Sequence, residues 1–90
     1  MKKRERTLIL MEILSVLRVG PMGPTRLAQS TGLSFDKFME FATLLESRRF
    51  VEKTWHDGQN VYKVTMGGIQ LLQDWEKVWT KISTDSSWKG

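Results

Sequence analysis

Gly32 limits what this chain can fold into more than any other single residue. It stands inside the run Leu27-Ala28-Gln29-Ser30-Thr31-Gly32-Leu33-Ser34. Glycine enters the left-handed backbone region without the penalty a Cβ brings, so it both ends a helix and permits a sharp change of direction. Ala28 is small where two helices must approach closely. Leu33 is apolar and can plug the angle between them. Ser34 is a good N-cap, so a new helix is expected from Phe35. The run therefore predicts two short helices crossing at an angle, over about residues 24–30 and 35–48. Pro24 opens the first of them, where its missing N–H is harmless. Phe38, Phe41, Ala42 and Leu45 fall on one face of the second.

A further helix is expected upstream. Leu10, Ile13, Leu14 and Leu17 recur at three- and four-residue steps, the apolar stripe of an amphipathic helix over about residues 4–18. Gly20-Pro21-Met22-Gly23-Pro24 stops it. Downstream of helix three the period changes from helical to alternating. Residues 51–55 and 61–65 read as two strands, joined by a five-residue loop, His56-Asp57-Gly58-Gln59-Asn60, with Asp-Gly as the hairpin signal. Two strands alone are marginal, so the hairpin must lie against the helices. Thr65 can cap a last helix over about residues 66–82. Its Gly67-Gly68 pair falls in the first turn, where glycine does least harm. The order is helix, helix, helix, strand, strand, helix, an α+β class that is mainly helical. One domain is expected over residues 1–82, with residues 83–90 as a loose tail.

Composition narrows the chemistry. The 90 residues hold no cysteine and one histidine, His56, so a disulfide framework is excluded and a metal site would rest on carboxylates that form no cluster. No metal and no cofactor is expected. No nucleophile with its base, no paired carboxylates and no phosphate-cradling glycine loop appear, so an enzyme is not expected. The apolar run after the N-terminal bases is interrupted by Glu12, and no stretch approaches the ~20 apolar residues of a membrane span. The expectation is a soluble protein of the cytoplasm. The formal net charge is +4. Most of it sits at the start, in Lys2, Lys3, Arg4 and Arg6, and such a patch attracts polyanions without reading their sequence.

The run from Leu27 to Ser34 resembles the helix-turn-helix consensus, and a hairpin followed by another helix sharpens the likeness. Gly-Pro-Met-Gly-Pro-Thr-Arg-Leu after helix one, Leu33-Ser34 before helix three, and Tyr62-Lys63-Val64-Thr65 with Gly68 before the last helix resemble a family of small archaeal winged helix-turn-helix proteins. The likeness covers roughly residues 5–80. Members of that family are predicted transcriptional regulators. Some relatives are chromatin proteins that dimerise through a long C-terminal helix. The resemblance implies binding to double-stranded DNA and a nucleoid association. In this architecture helix three usually enters the major groove, and the hairpin touches the backbone or the minor groove.

On a helical wheel with Phe38, Phe41, Ala42 and Leu45 inward, Asp36, Glu40, Thr43 and Ser47 face out, with Lys37 to one side. Two acids are awkward on a face that meets phosphates. Glu40 can accept from a cytosine amino group. The same face also suits a protein partner, and a winged-helix interaction module within a larger assembly is the alternative reading. Affinity for DNA is expected from Lys2, Lys3, Arg4 and Arg6 as an arm, from Arg26 at the start of helix two, from Ser34 and Lys37, and from Lys53, His56, Asn60 and Lys63 on or near the hairpin. About five neutralised phosphates would give a log–log salt slope of about −4 to −5. Finally, Leu72, Trp75, Trp79 and Ile82 step by three, four and three, a two-heptad seam. The domain core accounts for Ile69 and Leu72 and not for Trp79 or Ile82. A homodimer with Leu72, Trp75, Trp79 and Ile82 in its interface is therefore expected, against the option that the helix packs on helix one of its own chain.

Overall fold

The computed structural model describes the backbone of residues 6–84 and side chains as far as residue 81. Four helices and one hairpin follow in the order α1 (Arg6–Val19), α2 (Pro24–Thr31), α3 (Phe35–Ser47), β1 (Val51–His56), β2 (Gln59–Val64) and α4 (Met66–Thr84). The class is the α+β, mainly helical arrangement expected. The Lys2, Lys3 and Arg4 arm lies outside the described residues, as do the Ile82 side chain and the end of the tail. α4 itself continues two residues beyond the expected end.

The bend at Gly32 forms as its chemistry dictates. Gly32 has φ 72° and its N–H donates to the Gln29 carbonyl at 3.2 Å, while Leu33 N–H reaches back to Ala28 O at 3.0 Å. These bonds close the orphan carbonyls at the end of α2. Thr31, the one buried polar side chain of this corner, donates its hydroxyl to Leu27 O at 2.9 Å, within reach also of Ala28 O. Ser34 Oγ accepts the Lys37 N–H at 3.2 Å and so caps α3. Phe38, Phe41, Ala42 and Leu45 are buried together with Ile13, Leu14 and Leu17 of α1 and Leu27 and Ala28 of α2. Phe38 and Leu45 have essentially no surface left. Truncation of a ring in such a place costs about 3–5 kcal/mol.

The hairpin corrects the five-residue loop. β1 and β2 pair antiparallel from Val51↔Val64 to His56↔Gln59, so only Asp57 and Gly58 turn the chain. Both take positive φ, 50° and 79°. This is the mirror-image turn whose twist matches that of the strands, and Asp-Gly is among its favoured sequences. Polar His56, Gln59 and Asn60 hide the strand period because both faces of the tip are in solvent.

A third piece of sheet was not expected. Met22 bridges antiparallel to Tyr62, with Met22 N–H to Tyr62 O at 3.1 Å and Tyr62 N–H to Met22 O at 2.9 Å. The proline- and glycine-rich connection therefore doubles as an edge for β2. Tyr62 is buried, its ring edge-on to Phe38 with centroids 5.8 Å apart, which locks the hairpin against α3.

Thr65 holds the junction to α4. Its Oγ1 accepts the Gly68 N–H at 3.1 Å and donates to Arg49 O at 2.7 Å, so one hydroxyl caps α4 and ties down the end of α3. Gly68 is not the harmless residue of a first turn. A Cβ there would stand inside contact distance of the Phe50 carbonyl oxygen and 2.7 Å from Val64 Cγ2. The glycine is what lets α4 start so close to the strand.

α4 then packs on α1 of its own chain, and Arg18 of α1 forms a forked pair with Glu76 at 3.1 and 3.2 Å. Leu72 is 2% exposed within this chain. That corrects its place in an intermolecular seam: the monomer has already used it. Trp75 is partly buried against the core, and Trp79 stacks on it with centroids 6.1 Å apart. Among the described residues, no helix is long and apolar enough to cross a membrane, and no group of three His, Asp or Glu is placed to hold a metal ion.

Candidate nucleic-acid interface

The corner at Gly32 leaves one long side of α3 free. Asp36, Glu40, Thr43 and Ser47 are all exposed along it, as the wheel places them. Lys37 is exposed beside them, and its ammonium lies 3.7 Å from the Glu40 carboxylate. The pair is one turn apart and solvated, so it is worth a few tenths of a kcal/mol. It nevertheless changes the character of the face. Glu40 is not a naked acid, and Asp36 sits in the first turn, where carboxylates suit the helix dipole. Ser47 turns its hydroxyl back to Leu44 O at 2.8 Å. Ser34 spends its oxygen on the cap and keeps its hydrogen to donate. Thr43 remains open in the middle of the face.

A second set of expected residues meets around the start of α2. Gly23 is the N-cap of that helix and no side chain caps it. The first intrahelical bond is that of Leu27, to Gly23 O at 2.9 Å, so the Thr25 and Arg26 N–H groups find no intrahelical partner. Arg26, exposed, forms one wall of a groove between this helix end and the tip of the hairpin, with His56 and Asn60 on the other wall. Arg26 makes no ion pair among the described residues, whereas His56 lies 3.3 Å from Asp57. A phosphate entering this groove would find free amides, a guanidinium and the positive end of a helix dipole.

The remaining bases are not brought together. Register puts Lys53 opposite Tyr62 and Lys63 opposite Glu52, so the two lysines occupy opposite faces of the hairpin. Lys53 Nζ stands 6.0 Å from the Tyr62 ring centroid, on the face that packs against α3. Lys63 is 3.9 Å from Glu52 and lines a groove with Arg18 and Pro21. Arg6 lies over the Phe41 ring at 5.3 Å, using its charge against the core edge.

Two residues of this region escaped the sequence reading. Tyr62 is a core residue that fixes the hairpin, and burial, followed by the charge of Glu46, raises its hydroxyl pKa above the ordinary 10.0. Trp55, on β1, is 68% exposed. The signal was an aromatic next to an Asp-Gly turn, in a strand whose alternation left it facing the same way as Lys53.

The arrangement can be set against known proteins. No curated protein matches the sequence. Among solved structures, the chain is similar to the transcriptional regulator BldR from Sulfolobus solfataricus, at TM-score 0.78 and 16% identity, over 88% of this chain and 59% of that one. It is also similar to the zinc-responsive MarR family member ZitR from Lactococcus lactis, at TM-score 0.72 and 14% identity, over 98% of this chain and 62% of that one. The chain thus spans about three fifths of the length of these proteins, and at such identity the likeness is one of fold. The family model described as winged helix-turn-helix matches residues 3–83. With helix, bend, helix, hairpin and closing helix where that fold has them, the chain belongs to the winged helix-turn-helix family.

Proposed function

We propose that this protein binds double-stranded DNA as a homodimer, acting as a transcriptional regulator or a chromatin component. The observation that carries the reading is the exposed side of α3 together with a groove between the uncapped start of α2, with Arg26, and the tip of the hairpin, which also carries Lys53. Such a surface matches a major groove bordered by phosphates, with α3 as the inserted helix and the hairpin as a backbone or minor-groove contact. Thr43, Ser34 and Lys37 supply base-edge or phosphate contacts, and Glu40 accepts from a cytosine amino group. Arg26, His56, Asn60, Lys53 and Lys63 supply phosphate contacts, and Lys2, Lys3, Arg4 and Arg6 supply an arm. Of the two fold neighbours, BldR is a transcriptional regulator and ZitR is a zinc-responsive MarR family member. The Sulfolobus source of BldR accords with the archaeal family that the motifs resemble.

Dimerisation is supported by the end of α4, where Val78 is 54% and Trp79 is 52% exposed. Apolar groups of this size on a projecting helix favour a partner, and a second copy supplies a matching face by symmetry. A two-fold pair would present two α3 surfaces to one duplex.

Fluorescence anisotropy with a labelled duplex, repeated across a salt series, tests the reading. Binding at 50 mM salt with a log–log slope of about −4 to −5 is expected. Absence of binding there would refute it. The acids Asp36 and Glu40 favour one other reading, a protein-interaction module within a larger assembly. In that case substitution of Glu40 or Thr43 would disrupt a protein complex recovered by pull-down and leave DNA affinity unchanged.

A further inference from the structure

The hairpin carries a residue that neither the core nor the basic groups explain. Trp55 is 68% exposed, the most exposed of the described tryptophans. It lies one residue before His56, which closes the turn with Gln59. Strand alternation places Val51, Lys53 and Trp55 on one face, opposite Val64, Tyr62 and Asn60 in turn. The inner end of that face is buried: Val51 is in the core and Tyr62 abuts Phe38 of α3, its hydroxyl 3.9 Å from the Met39 sulfur. The middle carries the Lys53 ammonium. The outer end carries the indole. The face against which α3 packs thus runs on beyond α3 as a cation followed by a flat apolar ring.

Resting on the DNA-binding reading above, we propose that Trp55 is the wing's wedge: its indole enters the minor groove beside α3 and packs against sugars and a base step, while Lys53 holds the adjoining phosphate. Three features select a nucleic acid as the occupant. The ring is rigid and stands near the tip of a narrow ribbon, a shape that fits a groove. Its neighbour on the same face is a lysine with no ion pair to a carboxylate among the described residues. And the ring belongs to the element that flanks the exposed side of α3. Apolar wedges between base steps are a recurring way for proteins to grip the minor groove. The sparse bases of α3 make such a contact valuable here, because it adds affinity without charge.

The test uses the full chain and a fluorescein-labelled 20-base-pair duplex, with the W55A, W55F and K53A variants. Trp55 lies outside the core, and circular dichroism verifies that the variants fold. Duplex addition is expected to quench indole emission in the wild type. W55F should keep affinity within about threefold while losing most of the quenching. W55A should bind about tenfold more weakly with an unchanged salt slope, since burial of a large apolar side chain is worth at least that much and releases no counterion. K53A should weaken binding and lower the slope by about 1. If W55A binds as the wild type does, or quenching survives in W55F with binding intact, the wedge is refuted and the DNA reading stands. If the wild type binds no duplex at 50 mM salt, both fall. If W55A halves the mass seen by light scattering, the indole belongs between two copies of the chain and the proposal is overturned.

Discussion

At the scale of single residues, the two adjacent glycines of α4 make opposite demands. Beyond Gly67 lies ordinary contact space, its nearest groups being Arg49 O and Thr65 Oγ1 at 3.6 Å. Gly68 faces the Phe50 carbonyl, a backbone group that cannot swing away. Gly68→Ala is therefore expected to cost about 2–3 kcal/mol and to lower Tm by about 10–20 °C in a domain of this size. Gly67→Ala should leave Tm unchanged or raise it slightly, because alanine is the better helix former. Differential scanning calorimetry of the pair checks this, and equal losses would contradict the contact geometry. Nothing in the one-letter pattern separates the two positions, since close approach is a property of the folded neighbours. Tyr62 makes a second residue-scale case. Its pKa in the fold is raised, first by burial and then by Glu46. The stability linked to it is fully present below the unfolded value of 10.0 and is lost as pH rises through the folded value. Tyr62→Phe should cost less than about 1 kcal/mol at neutral pH, its hydroxyl bonding only a thioether. The same variant should lose part of the decline in stability above pH 10, which urea melts at pH 8 and 10.5 would show.

At the scale of elements, the sequence was most legible where backbone chemistry and burial agree. Gly32, Ser34 and Thr65 each have a local task that their side chains announce, and all three perform it. Legibility failed where a residue serves two partners or none. Met22 joins the sheet through backbone bonds alone, so its side chain carried no strand signal. His56, Gln59 and Asn60 are strand residues in solvent, where no apolar alternation is required. Leu72 and Trp79 share one helical stripe, yet the first is sealed by α1 and the second is half open. The seam therefore changes function along its length, from own-chain core at Leu72 through Trp75 to exposed surface at Val78 and Trp79. That division yields a prediction for the element. Trp79→Lys should change stability by no more than about 1 kcal/mol, since the residue is half exposed, while shifting the mass by light scattering from dimer to monomer. Leu72→Ala should instead unfold the chain more readily, by about 2–5 kcal/mol. A dimer that survives Trp79→Lys would move the interface elsewhere.

At the scale of the whole molecule, the proposed DNA binding requires so modest a positive charge to hold a polyanion. Several of the described bases are already engaged. Arg18 is forked onto Glu76, Lys37 lies by Glu40, Lys63 by Glu52, and Arg6 over Phe41. Each of these is exposed enough that a phosphate can compete for it, but each must first give up a partner. Arg26, beside the start of α2, and Lys53, on the hairpin, have no carboxylate partners among the described residues. Much of the remaining long-range attraction then falls to Lys2, Lys3 and Arg4, the densest run of bases in the chain. If that run neutralises phosphates, replacing all three by alanine removes up to three released counterions. The salt slope should fall by about 2–3, and affinity at low salt should drop far more than at high salt, where screening has already silenced those charges. Any base discrimination should be unaffected, because phosphate contacts fix position and not sequence. A triple variant whose slope equals the wild type's would place the whole electrostatic contact on the folded domain, and the bases at its border, Arg26 above all, would have to supply it.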